Sequence, residues 1–333
     1  MVRLTNQFWD NMWKQPKESS TGEDLKNNFV ISSEKSLSQQ TLEQSLVQIK
    51  QQDLSYTEKL YIELFELTHQ SLRLNINKDH IETVIRQIID VFVENPYNEL
   101  LLYSYSISKE NYIIAHITNN VLLALGFGSS LNLSKNNLLE LGIAAFCHDF
   151  GMADYTHLFQ SGQPLSEKEN KLVQRHPFRS AEIFESFFSE RILTVILDVH
   201  EYVNGGGYPQ GKKGDDISFF AKVISICDVF EALTHPRNFR KAYSPYEAMK
   251  MIIKKKDIIF DGAVIKKFLE YMSIYPIGSL VYLNTGETAM VIGSNRGFPT
   301  RSIVQVLLNA KREVNTSGKI VNLLQDKMIY ING

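Results

Sequence analysis

Five segments of this 333-residue chain carry side chains able to hold a metal ion. They are His116, the adjacent His148-Asp149, His176-Pro177, His200-Glu201 and Asp228. Imidazole nitrogens and carboxylate oxygens together suit iron, manganese or zinc, and the absence of a nearby cysteine cluster argues against a thiolate site. Taken singly, each signal is weak. A lone histidine such as His116, in Ile113-Ile-Ala-His-Ile, is more often a satisfied core residue, and Asp228 could merely pair within its own helix. The ordered set, each member in its own surrounding motif, points to a metal centre.

Directly behind His200-Glu201 hangs a glycine-rich loop, Asn204-Gly-Gly-Gly-Tyr-Pro. Three glycines let a backbone turn sharply and approach a ligand closely. Beyond Asp228 lie Arg237, Arg240 and Lys241. Guanidinium forks pair well with phosphate oxygens, although a solvated basic turn has the same composition. His157, nine residues after His148, is a spare imidazole or an exposed loop residue; His235 touches a phosphate or faces solvent.

The elements that must position these groups read as helices. Ser55 and Glu58 form a capping-box pattern, and Asp79 and Glu82 a second one before Val84, Ile85, Ile88 and Ile89. Ser166 and Glu169 cap a helix running towards His176, Ser218 caps the helix carrying Asp228, and Ser244-Pro245 opens another. After Pro276 the texture changes to short strands: Gly278–Leu283, Glu287–Ile292 and Ser302–Leu308. The fold class is therefore mainly α with a small C-terminal β domain. The divisions are 1–98, a helical N-terminal region; 99–275, the helical domain with the candidate ligands; and 276–333, the β-rich unit. Residues 15–53 are polar. Trp9 and Trp13, at i,i+4 spacing, form a face for a protein partner or a second copy, or pack on the chain's own helices.

Composition limits the remaining classes. The chain is 44% hydrophobic and 22% charged with a formal charge of −2, which gives no support to binding of a nucleic-acid polymer or a membrane surface. Met1–Lys14 is interrupted by Arg3, Asp10 and Lys14, and no apolar run reads as the ~20 residues of a membrane helix. Cys147 and Cys227 cannot build a disulfide framework and fit a reducing compartment, so a cytoplasmic location is expected. Each precedes a candidate ligand and behaves as a small hydrophobe there.

Residues 112–275 resemble the HD-GYP family, a branch of the HD phosphohydrolases. The likeness rests on His148-Asp-Phe-Gly, His176-Pro, His200-Glu with Asn204-Gly-Gly-Gly-Tyr-Pro, and Cys227-Asp-Val-Phe-Glu-Ala-Leu-Thr-His-Pro-Arg-Asn-Phe-Arg. It implies an all-helical HD domain with His116, His148, Asp149 and Asp228 as ligands of one ion. Asp149 would bridge to a second ion held also by His176 and His200, and it is the residue expected to be central to catalysis. The resemblance also implies that Gly207 and Tyr208 of the loop, with Arg237, Arg240 and Lys241, contact the substrate.

Several positions depart from the family pattern. Val199 stands where the first of two consecutive histidines is usual, Met152 replaces a lysine, Asn204 an aspartate, and Tyr112 a glutamate that some members use for a third ion. Valine cannot coordinate, so the second ion loses a nitrogen ligand. The implied activity is metal-dependent hydrolysis of cyclic di-GMP, or a related cyclic dinucleotide, to linear pGpG or GMP, with one or two iron or manganese ions. The alternative is a catalytically impaired relative that binds cyclic di-GMP as a sensor and signals through a protein partner.

Overall fold

The structure is a computed structural model that describes residues 55–96, 100–103, 112–159, 165–236, 241–295, 297–315 and 318–332. Trp9, Trp13, the polar 15–53 segment, Arg237 and Arg240 lie outside the described residues.

Helices α1 (Tyr56–Leu72) and α2 (Lys78–Glu94) begin at defined caps. Ser55 and Glu58 close the expected capping box of α1. At α2 the cap is Asn77, whose side chain accepts from the His80 N–H at 3.1 Å. Asp79 instead lies inside the first turn, where its charge meets the positive end of the helix dipole. A short α3 (Leu100–Tyr103) leads to α4 (Tyr112–Ser130) and α5 (Lys135–Cys147). A 3₁₀ turn, Phe150–Tyr155, and α6 (Thr156–Phe159) follow.

The Ser166–Glu169 capping box starts α7 (Glu167–Val173), which ends before His176. His176 opens a separate helix, α8 (His176–Phe184), with Pro177 in its first turn. Then come α9 (Glu190–Asp198), α10 (Phe219–Thr234), α11 (Pro245–Lys254) and α12 (Gly262–Met272). Ser218 precedes α10 but its hydroxyl makes no cap bond; its backbone N–H donates to Asp198 at 3.0 Å. The Ser244–Glu247 capping box and Pro245 open α11.

One apolar core joins these helices. Leu60, Leu64 and Leu67 of α1 and Ile81, Ile85 and Ile88 of α2 belong to the same buried cluster as Val121 of α4, Phe146 of α5 and Phe230 of α10. Helix α4 packs against α1, α2, α3, α5, α10 and α12. By length and composition it is apolar enough to cross a bilayer, contrary to the reading that no run approaches such a span; 83% of that window is buried inside the protein. Its apolar residues are used against neighbouring helices.

The C-terminal unit is an antiparallel sheet in the order β4-β3-β2-β1-β5. Its strands are β1 (Leu280–Leu283), β2 (Thr288–Gly293), β3 (Ile303–Leu308), β4 (Ile320–Asn322) and β5 (Ile331–Asn332). The period-2 pattern places Val281, Leu283, Ala289, Val291, Val304 and Val306 in a second, smaller core. Register pairs Val281 with Ala289 and Val304 with Val321. Ser273 ties the end of α12 to this unit by donating to the Pro299 carbonyl at 2.6 Å.

Candidate metal centre

Five helix ends or faces deliver the candidate ligands to one point. His116 lies on α4; His148 caps the C-terminus of α5, with Asp149 next in the chain; His176 opens α8; His200 follows α9; Asp228 lies within α10. The turn after Asp149 rests on α8 so closely that a Cβ on Gly151 would meet the His176 carbonyl oxygen at 2.3 Å. Glycine is required there. The Gly151 N–H donates to Ser180 Oγ at 2.8 Å, and that hydroxyl donates to the His148 carbonyl at 2.7 Å, locking the two segments together.

The donor atoms form two groups that share Asp149. In the first, His116, His148, Asp149 and Asp228 bring their donor atoms within 4.8 Å of one another; in the second, Asp149, His176 and His200 do the same. His116 Nε2 is 2.9 Å from Asp228 Oδ1 and 3.2 Å from Asp149 Oδ2. On the other side Asp149 Oδ1 is 3.2 Å from His176 Nε2 and 3.3 Å from His200 Nε2. The two Nε2 atoms of His176 and His200 are 2.9 Å apart.

The imidazoles are oriented from behind. A carbonyl oxygen can only accept, so His148 Nδ1 donates to Ala145 at 2.8 Å and His176 Nδ1 donates to Val173 at 2.7 Å. His116 Nδ1 pairs with the Glu231 carboxylate. In all three rings Nε2 is thereby the atom turned to the centre, the arrangement that presents a lone pair to a cation. His200 is held differently. Tyr208 stacks on its ring with centroids 5.1 Å apart and planes 7° from parallel, and the Tyr208 N–H donates to the His200 carbonyl at 3.1 Å.

Both acids of the centre are held ionised, which suits a cation. Burial favours a protonated Asp149, but His148 nearby and hydrogen bonds from His116, His176 and His200 outweigh it and hold the carboxyl well below the ordinary carboxylate range. Asp228 is lowered likewise against burial, chiefly through its bond with His116. Burial pushes His148 and His176 down, keeping them neutral donors. His116 and His200 rise despite burial, His116 through Glu231 and His200 through Asp149. Shared imidazole and carboxylate donors, two of them ionised acids, fit a divalent cation.

Residues outside the expected ligand set build the surroundings. Glu231, three residues after Asp228 and so on the same side of α10, is 1% exposed. One of its oxygens meets His116; the other accepts from Asn119 Nδ2 at 3.1 Å and lies 3.0 Å from His235 Nδ1. His235 is therefore not solvent-exposed: it is buried against Glu231. Its spacing from Glu231, one helical turn, was the available signal. His157 is exposed and belongs to neither donor group. Both cysteines are buried, and burial pushes their thiols up, so they act as small core residues.

The glycine loop is braced by two buried acids. Glu201 Oε1 accepts from the N–H groups of Gln210 and Gly211 at 2.6 and 2.9 Å. Asp198 pairs with Lys212 at 2.7 Å. A Cβ on Gly207 would lie 2.3 Å from the Tyr202 nitrogen, so the close approach at this glycine is to the chain's own backbone. Asn204, the residue in place of the family's aspartate, accepts from the Gly206 N–H at 2.8 Å and closes its own turn. Burial pushes the Tyr208 hydroxyl up, keeping it a hydrogen-bond donor. Val199 packs in the helical core with no exposure. Lys241 is exposed.

Comparison with known proteins agrees with this geometry. Residues 106–264 match the HD domain family, and residues 280–333 match the KOW domain associated with HD domains. The chain is 28% identical over 251 residues to cyclic di-GMP phosphodiesterase PA4108 of Pseudomonas aeruginosa, spanning 74% of this chain and 60% of that protein. It is 23% identical over 214 residues to cyclic di-GMP phosphodiesterase PdeB of Borreliella burgdorferi, spanning 64% of this chain and 55% of that protein. The chain thus spans little more than half the length of these curated relatives. In fold it is similar to Bd1817, a HDG"Y"P protein from Bdellovibrio bacteriovorus, with a TM-score of 0.54 and 16% identity over 69% of this chain and 76% of that one. Residues 106–264 are an HD domain, and the relatives support its being of the HD-GYP type.

Proposed function

We propose that the chain is a metal-dependent phosphodiesterase that hydrolyses cyclic di-GMP, or a related cyclic dinucleotide, to linear pGpG or GMP. The observation that carries this reading is Asp149, which belongs to both donor groups: its Oδ2 faces His116, while its Oδ1 faces His176 and His200. An ion bound there would supply Lewis acidity to a phosphoryl oxygen and acidify a water. Iron and manganese suit the donor set.

The protein residues divide the remaining work. Asp149, ionised and shared, fixes the spacing between the two positions. His176 and His200 hold the second, which has three protein donors among the described residues, since Val199 faces the core. Tyr208, stacked on His200, stands at the edge of that position with its hydroxyl protonated as a donor to a phosphate. Arg237, Arg240 and Lys241 pair with the substrate's phosphates; Gly207 keeps the loop close enough to present Tyr208.

Anaerobically purified full chain, loaded with Mn or Fe and assayed for metal content, is expected to convert cyclic di-GMP to pGpG or GMP. Binding of cyclic di-GMP at full metal occupancy without any linear product would overturn the enzyme reading in favour of a sensor.

A further inference from the structure

We infer that Asn120 is a fifth protein ligand of the His116, His148, Asp149 and Asp228 centre, coordinating through its side-chain oxygen. The inference rests on the metal-binding part of the proposed function and is independent of the substrate. Asn120 follows His116 by one turn of α4, so both side chains leave the same face of the helix. It has no solvent exposure. Its Nδ2 is 3.3 Å from His148 Nε2, the atom that His148 turns to the centre.

The amide matches the spacing of the other donors. Neighbouring ligand atoms around an octahedral ion at ~2.1 Å are roughly 3 Å apart. In the first donor group His116 Nε2 stands 2.9 and 3.2 Å from the two carboxylates, and His148 Nε2 is 3.6 Å from Asp149. The 3.3 Å of Asn120 falls inside that range.

The other end of the amide supplies the second argument. Asn120 Oδ1 is buried and has no hydrogen-bond partner among the described residues. A buried acceptor left unpaired is costly. The two ends of an asparagine amide are nearly the same shape, so a half-turn of the last torsion exchanges Nδ2 and Oδ1 without moving any neighbour. With a cation on His148 Nε2 that lone pair is no longer an acceptor for the N–H group, and the turned amide offers the cation its oxygen. Asn119, next in line, directs its amide to Glu231 instead, so the two asparagines have separate tasks.

The test uses the full chain, with Mn(II) titrated into wild type, Asn120→Leu and Asn120→Asp and free Mn(II) read by electron paramagnetic resonance. Asn120→Leu, similar in volume without a donor atom, is expected to weaken the tighter Mn(II) site at least ~10-fold. Asn120→Asp keeps an oxygen but loses the N–H group, and is expected to bind as tightly as wild type or more so. Unchanged affinity in Asn120→Leu overturns the assignment. Equal weakening in both variants also overturns it, since only the N–H contact to His148 would then matter. If Asn120→Leu does not fold, Asn120→Asp decides alone: weaker binding than wild type overturns the assignment. Wild type that binds no Mn(II) removes the metal reading itself, whereas wild-type binding with unaffected variants removes only the role of Asn120.

Discussion

Tyr208 lies flat on His200, ring planes 7° from parallel, while its backbone N–H bonds the carbonyl of the same histidine. One residue therefore fixes both the ring and the main chain of a candidate ligand for which no backing carbonyl like those behind His148 and His176 is seen among the described residues. A stacked aromatic pair contributes about 0.5–1.5 kcal/mol beyond its buried area. Tyr208→Ala is expected to weaken the second ion roughly 2- to 10-fold, with Tyr208→Phe close to wild type for metal. Isothermal titration with Mn(II) checks this; equal affinity in Tyr208→Ala refutes the supporting role.

Glu231 joins His116, Asn119 and His235 in one buried network. Opposed by burial, it is held well below the ordinary carboxylate range by His116 and His235. Removing one member of such a buried charged set costs about 3–5 kcal/mol. Outer partners of ligating histidines commonly carry 10- to 100-fold in metal affinity. Glu231→Ala is expected to lose stability on that scale and metal on that scale. Glu231→Gln, which retains an acceptor for His116 Nδ1, should recover most of the metal affinity. Urea denaturation and metal titration of both variants test the claim, and failure of Gln to differ from Ala contradicts it.

Val199→His is informative because the wild-type side chain is part of the core. A buried imidazole without a partner costs about 1–3 kcal/mol. The variant should melt lower than wild type in chelator and regain the difference when Mn(II) is added, with metal per chain rising towards two ions. A variant destabilised equally with and without Mn(II) would show that position 199 cannot reach the centre from this backbone.

Asp261 gives a pH dependence away from the centre. Burial opposes ionisation, but Lys222 at 3.0 Å and the N–H groups of Ala263 and Val264 outweigh it, so the folded carboxyl titrates below its ordinary value of about 3.9. The native state then binds fewer protons than the unfolded chain. Its contribution is complete above the unfolded pKa and disappears as pH falls through the lower, folded one. The stability gap between wild type and Asp261→Asn should be constant near neutrality and shrink below about pH 4. A gap independent of pH in a urea series across that range contradicts the assignment.

Much of the centre was legible because metal chemistry demands particular side chains, and His116, His148, Asp149, His176, His200 and Asp228 each sit in a recognisable motif. The structure brings all six together. Glu231 and Asn120 were harder to see. Acids and amides are common on helices, and only the helix-face geometry shows that one lies a turn beyond Asp228 and the other a turn beyond His116. The first three strands were visible through alternation and turn residues, whereas β4 and β5, of three and two residues, are too short to show a period. Asn77 displaced the expected cap at Asp79 because an asparagine directly before the first turn reaches an N–H that a residue within it does not.

Helix α4 has the composition of a membrane span, yet it is enclosed by other helices and carries His116 in its interior. Counter-ions cannot gather there. The attraction between an ion and its ligands at this depth is screened far less than one at the surface, where the Debye length is about 8 Å at physiological salt. Metal affinity should therefore change little between low and high ionic strength, while substrate affinity, if it draws on exposed cations such as Lys241 as proposed, should fall with added salt. Two salt titrations, one read by bound Mn(II) and one by bound cyclic di-GMP, would separate the dry half of the site from the wet half.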